Sequence, residues 1–199
     1  MRTLSRRPLL AATLVLASLG LAGCAGLNTV SGEVSSFGQW PEGRAPGSYA
    51  FERLPSQQQD GEHTRFEALA AQALQARGFT PVAAGAKPDV VVQIGARVTR
   101  QSRSPWDDPF WWRFGSGYGS RWYGVGAWRW SSALDPEYDR EAALLLRDAA
   151  SGTPLYEARA HSTGVTPGGD RLLGGLFLLS LSDFPAARPE PHAASVVLP

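Results

Sequence analysis

Asp89-Val90-Val91-Val92-Gln93-Ile94-Gly95-Ala96-Arg97-Val98-Thr99-Arg100 decides the fold class. Val90, Val92, Ile94, Ala96 and Val98 fall on one side of an extended chain, and Gln93, Arg97 and Thr99 on the other. A strict period of two predicts a strand in a sheet covered on one face and wetter on the other. Upstream the period changes. Phe66, Leu69, Ala70, Ala73 and Leu74 recur at helical spacing and form an apolar stripe about 100° wide. Arg77 in the last turn and Gly78 beyond it are stop signals. Farther back, Val30 to Phe37 reads as a strand with Val30 and Val34 on one face, and residues 40–47 carry turn chemistry. Ser48 to Leu54 follows as a second strand with Tyr49 and Phe51 sharing a side, and Ser56 to Gly61 is a polar loop.

Downstream, Glu141 to Arg147 and Pro154 to His161 flank Asp148-Ala149-Ala150-Ser151-Gly152 and make a hairpin. Residues 166–169 are a loop, Asp170 is placed to cap a helix, and Leu172 to Phe184 carries Leu173, Leu176, Phe177, Leu181 and Phe184 on one side. Gly174 and Gly175 inside that helix cost about 1 kcal/mol each relative to alanine, which predicts a close backbone contact. Ala194 to Leu198 is a final short strand. The order strand, strand, helix, strand, hairpin, helix, strand predicts an α+β fold. It is a two-layer sandwich of a mostly antiparallel sheet with two helices on one face. An aromatic and glycine-rich insert occupies residues 101–135.

The N-terminus carries an address. Met1 to Pro8 is short and positive, and Leu9 to Ala22 runs for 14 residues without a charge. As a helix that run is about 21 Å long, short of a bilayer core of about 30 Å, so it fits a signal peptide better than a membrane span. Leu21-Ala22-Gly23-Cys24 closes it. Small residues before a thiol let an extended backbone lie in a peptidase groove, and this motif resembles the bacterial lipobox. The resemblance implies diacylglyceryl attachment at Cys24, removal of residues 1–23, and acylation of the new amine, palmitate being the expected label. Several chains on one residue hold a domain at a membrane for good. Ala25 rather than Asp after the cysteine implies, by the same resemblance, passage to the outer membrane. Ser5-Arg6-Arg7-Pro8-Leu9-Leu10 looks like a twin-arginine export signal, although paired arginines are more often plain leader charge.

Of 199 residues, 19 are basic and 18 acidic, a formal net charge of +1. Cleavage before Cys24 removes three arginines and no acid, leaving −2. No clustered positive face is left for a nucleic acid. One cysteine excludes a disulfide framework and a thiolate zinc site.

Further pieces carry a family resemblance: Ser48-Tyr49-Ala50-Phe51 after a turn, Gln75-Ala76-Arg77-Gly78-Phe79 ending a helix, Lys87-Pro88-Asp89-Val90-Val91-Val92 opening a strand, Asp148 to Tyr156 as a hairpin, and Phe184-Pro185. In this order, with the lipobox, they resemble the bacterial lipoproteins of the domain-of-unknown-function 4136 family, over most of residues 24–199. Leu155-Tyr156 departs from the aliphatic–tryptophan pair expected there. The resemblance implies no activity and no catalytic residues.

Residues 106–130 hold ten of the twenty aromatics, with Gly115, Gly117, Gly119, Gly124 and Gly126 interleaved. Three readings stand: rings that complete the core or cover a sheet edge, docking at lipid headgroups, and a platform for a glycan or protein partner. Chemistry-bearing groups are sparse. His63, His161 and His192 lack metal-site spacing, Asp107 and Asp108 point apart on an extended chain, and Ser116 lacks a nucleophile-elbow setting. No catalytic, cofactor-binding or metal site is expected.

The expectation is one domain over residues 24–199, anchored at the bacterial outer membrane through lipid on Cys24 and facing the periplasm. It is a non-catalytic structural or interaction module, with Trp106, Trp111, Trp112, Tyr118, Trp122, Tyr123, Trp128 and Trp130 as contact surface. Its partners are the membrane and an envelope protein or glycan. The alternative is a module binding peptidoglycan, another glycan or a small ligand with the same rings.

Overall fold

In the computed structural model, which describes residues 28–101 and 137–198, the alternation at Val90 is realised as drawn. Val90 and Val92 are fully buried and Ile94 nearly so, because each points into the core. The burial stops there: Ala96 is half-buried, and Val98 is 39% exposed. This strand therefore leaves the packed body in its second half.

Seven strands form one sheet: β1 Thr29–Gly38, β2 Ser48–Phe51, β3 Thr80–Pro81, β4 Val90–Gln101, β5 Glu137–Asp148, β6 Pro154–Gly164 and β7 His192–Val197. They lie in the order β3-β2-β4-β5-β6-β1-β7. The pairings β4–β5, β5–β6, β6–β1 and β1–β7 are antiparallel. The β2 pairings with β3 and β4 are parallel. Two helices accompany the sheet, α1 Gly61–Ala76 and α2 Asp170–Ser180. The fold is α+β with a mostly antiparallel sheet, as the element order predicts.

Each helix begins and ends for a local reason. The Asp60 carboxylate accepts the Glu62 N–H and caps α1. The chain leaves α1 through Gly78 at φ +87, a left-handed turn that glycine adopts without strain. Phe79 then enters the core, and its amide donates to the Leu74 carbonyl. α1 buries Ala70, Ala73 and Leu74 of the predicted stripe. α2 buries Leu173, Leu176 and Phe177, with Leu181 just past its end. It packs on β1, β5, β6 and β7, while α1 lies against α2 and β4.

Several boundaries are corrected. The sequence reading has no β3: two residues show no alternation, and Pro81 argues against a strand except at a sheet edge. The second helix ends at Ser180 rather than Phe184, so Phe184 packs from a turn against Trp40, Phe79 and Tyr156. Its cap residue is Gly169 rather than Asp170, whose side chain pairs instead with Arg65 of α1. β5 begins at Glu137, and β7 at His192. Leu155 and Tyr156 are both buried, Tyr156 completely.

Candidate functional site

Sequence reasoning puts function at Cys24 and at eight rings between Trp106 and Trp130; all nine residues lie outside the described residues. What can be built is the setting that holds the aromatic segment. β4 and β5 pair from Val90–Asp148 out to Gln101–Glu137, so the two ends flanking residues 102–136 sit directly opposite each other. Residues 97–101 are all exposed on the outgoing strand.

Polar pairs lace this arm. Arg97 meets Glu141 at 3.0 Å, His161 lies 3.5 Å from Asp139, and Gln101 donates to Asp139. Arg140 turns the other way. It is only 7% exposed, and its Nε donates to the Thr166 carbonyl at 3.0 Å. Gly164 makes room for it, since a Cβ there would collide with the guanidinium.

Two further polar clusters lie in the packed body. His63, in the first turn of α1, is buried. Its Nε2 is 3.6 Å from Glu67, which takes two charge-assisted hydrogen bonds from Arg53 at 2.7 and 2.6 Å. That bidentate pair holds the Arg53 proton more tightly than usual. Beside it, Tyr49, Phe51, Ala68, Ala71, Gln75 and Val82 line much of an open cleft of about 490 Å³ between α1 and the β2–β3 edge.

The second cluster joins residues more than 140 positions apart. The fully buried Ser36 hydroxyl donates to Asp183 at 3.1 Å and accepts the Arg188 N–H at 2.8 Å. His192 reaches the same carboxylate at 3.2 Å. Serine, aspartate and histidine thus meet, but the carboxylate stands between the other two. A nucleophilic serine must touch its base, and this one touches the acid and is sealed from solvent. The arrangement ties the chain before β7 to β1. Among the described residues, no three His, Cys, Asp or Glu side chains converge to hold a metal ion. No described helix is long and apolar enough to cross a membrane.

Residues 33–172 match a domain of unknown function (DUF4136). The chain belongs to that family. The matched span runs from β1 into the first turn of α2, so this DUF4136 domain includes residues 102–136 and leaves out β7. No curated protein matches the sequence. Among solved structures, a PDZ domain protein from Parabacteroides distasonis superposes with a TM-score of 0.50 at 14% identity, over 85% of this chain and 40% of that one. The DUF4136 chain thus spans less than half of that protein's length, and the likeness concerns fold alone. A PelC dodecamer from Paraburkholderia phytofirmans has a TM-score of 0.43 at 15% identity, over 78% of this chain and 98% of that one.

Neither polar cluster was visible in the sequence. Ser36, Asp183 and His192 show no shared spacing, and His63 looks like any polar residue in a first helical turn. Only the path of the chain brings them to their partners.

Proposed function

We propose that this protein is a lipid-anchored, non-catalytic interaction module of the bacterial cell envelope, held at the outer membrane through Cys24 and facing the periplasm. One observation carries the reading: Leu21-Ala22-Gly23-Cys24 closes a charge-free run of 14 residues that follows a positive start. The domain is read as two layers, α1 and α2 sharing the sheet face that holds Val90, Val92 and Ile94. Burial of α1 and α2 side chains together with those valines supports that layering. The contact surface is the aromatic segment, and the facing ends at Gln101 and Glu137 support it, because the chain leaves for that segment and returns from it at one paired stem.

The test is metabolic labelling with radioactive palmitate. The wild-type product takes up label and loses its leader, and Cys24→Ala does neither. An unlabelled wild-type product that keeps residues 1–23 overturns the anchor. For the contact surface, six of the seven tryptophans lie between 106 and 130. Their emission therefore reports on that segment. A shift on adding muropeptides favours the glycan-binding alternative, whereas crosslinked envelopes that yield a protein partner favour the first reading.

A further inference from the structure

The two edges of the sheet are finished differently. At one end stands β3, two residues long and containing Pro81, which has no N–H to offer. A short strand with proline is a standard way to blunt an edge. At the other end stands β7, His-Ala-Ala-Ser-Val-Val over residues 192–197. It is three times longer, has no proline, glycine, lysine or acid, and pairs with β1 without a bulge.

The register says which backbone groups are spare. Leu198 donates its N–H to the Asn28 carbonyl at 2.7 Å, and Val30↔Val196, Gly32↔Ala194 and Val34↔His192 continue that pairing. In an antiparallel ladder the intervening residues turn their N–H and C=O the other way. Ala193, Ser195 and Val197 therefore present three donors and three acceptors outward, and no described residue bonds to them there.

We propose that β7 is an interface for a second copy of this chain, the two strands pairing antiparallel about a two-fold axis at Ser195 and joining two sheets into one of fourteen strands. The symmetry operation supplies the argument for this occupant. With Ser195 opposite its own copy, Ala193 faces Val197, Ala194 faces Val196, and His192 faces Leu198. On the outer side Val197, which is 69% exposed, meets the small Ala193. On the inner side the half-buried Ala194 and Val196, already packed on the core, meet each other's copies and extend it. No charged side chain meets its like, because β7 carries no lysine, arginine or acid and the register sets His192, held by Asp183 of its own chain, opposite Leu198. An isologous interface requires this kind of self-complementarity, and strand addition supplies affinity through the backbone.

The experiment uses the full chain purified in mild detergent. Its mass in solution is expected to be twice that of the chain. The amides of Ala193, Ser195 and Val197 should exchange with deuterium about tenfold more slowly in concentrated than in dilute solution. Ser195→Pro removes an outward backbone donor and no bond of the β1–β7 ladder, losing besides only the exposed hydroxyl contact with Ser31, and should give single chains with unchanged circular dichroism. Val197→Lys, which leaves the backbone intact, should do the same should the proline variant fail to fold. A single-chain mass with rapidly exchanging amides at every concentration overturns the proposal. So does a dimer that survives both substitutions, or protection of these amides only by a different envelope protein.

Discussion

Asp148 shows how much one side chain organises. The Ser151 N–H, the Arg44 guanidinium and the Ser151 hydroxyl all serve its carboxylate and hold its pKa down to about 2. Asp89 is lowered as well, chiefly by the Ser48 hydroxyl and then by the Ser48 N–H. Asp89 ties the start of β4 to Ser48 of β2, and Asp148 ties the end of β5 to Arg44, which also donates to the Asp89 carbonyl. An unfolded aspartate titrates at about 3.9, so the contribution of Asp148 is present above about pH 4 and lost as the pH falls toward 2, and that of Asp89 is lost in the same direction. The melting temperature should drop across that window, and Asp148→Asn should flatten the drop. Tyr156 has the opposite sign. Burial pushes its phenol up to about 12, so folding favours the neutral ring and stability declines as the pH rises above about 10. Tyr156→Phe should remove much of that alkaline decline, since its hydroxyl donates only over a long 3.5 Å to the Ser180 carbonyl. Ser36→Ala is the harsher change. It leaves the Arg188 N–H and the Asp183 carboxylate each one partner short in a part-buried setting, at a cost of about 1–3 kcal/mol in denaturant unfolding.

Among the elements, α2 gives the sharpest contrast because two adjacent glycines behave oppositely. A Cβ on Gly175 would stand 2.6 Å from Val30 and 3.0 Å from Leu198, whereas one on Gly174 would find Leu69 at a comfortable 3.6 Å. Gly174→Ala should stabilise the protein by about 0.5–1 kcal/mol through helix propensity. Gly175→Ala should destabilise it by about 1–3 kcal/mol through overpacking, despite the same gain in propensity. Equal effects in chemical denaturation would show that the helix does not approach β1 as described. In α1, Leu74 is fully buried, and Leu74→Ala should cost about 2–5 kcal/mol. The Arg65–Asp170 pair that links the two helices is about half-exposed on both sides. Water and salt screen such a pair, and breaking it should change stability by less than about 1 kcal/mol.

For the whole molecule, the decisive feature is that a 35-residue segment, 102–136, departs from and returns to one register pair, Gln101 and Glu137. The sheet is continuous through β4 and β5 on either side. Replacing residues 102–136 with Asn-Gly, the turn that suits a two-residue hairpin, should leave circular dichroism unchanged and the melting temperature within a few degrees. A collapse of the fold would mean that the rings belong to the core and are not a contact surface. The same variant tested in crosslinked envelopes shows whether partners are lost with the segment.

The sequence alone determined what periodicity and local caps can express: strand character from Val90 onward, the α1 stripe and its glycine stop, the hairpin around Asp148, the α+β class and the family. These signals lie within a few residues of one another, where steric and hydrogen-bonding preferences act directly. Only the tertiary structure decided the parallel edge through β3, the burial of His63, the Ser36–Asp183–His192 cluster and the outward face of β7, to which no described residue bonds. Each arises from residues brought together by the path of the chain. Alternation places a side chain on a face of the sheet, but the order of the strands decides what that face meets and which strands stand at its edges.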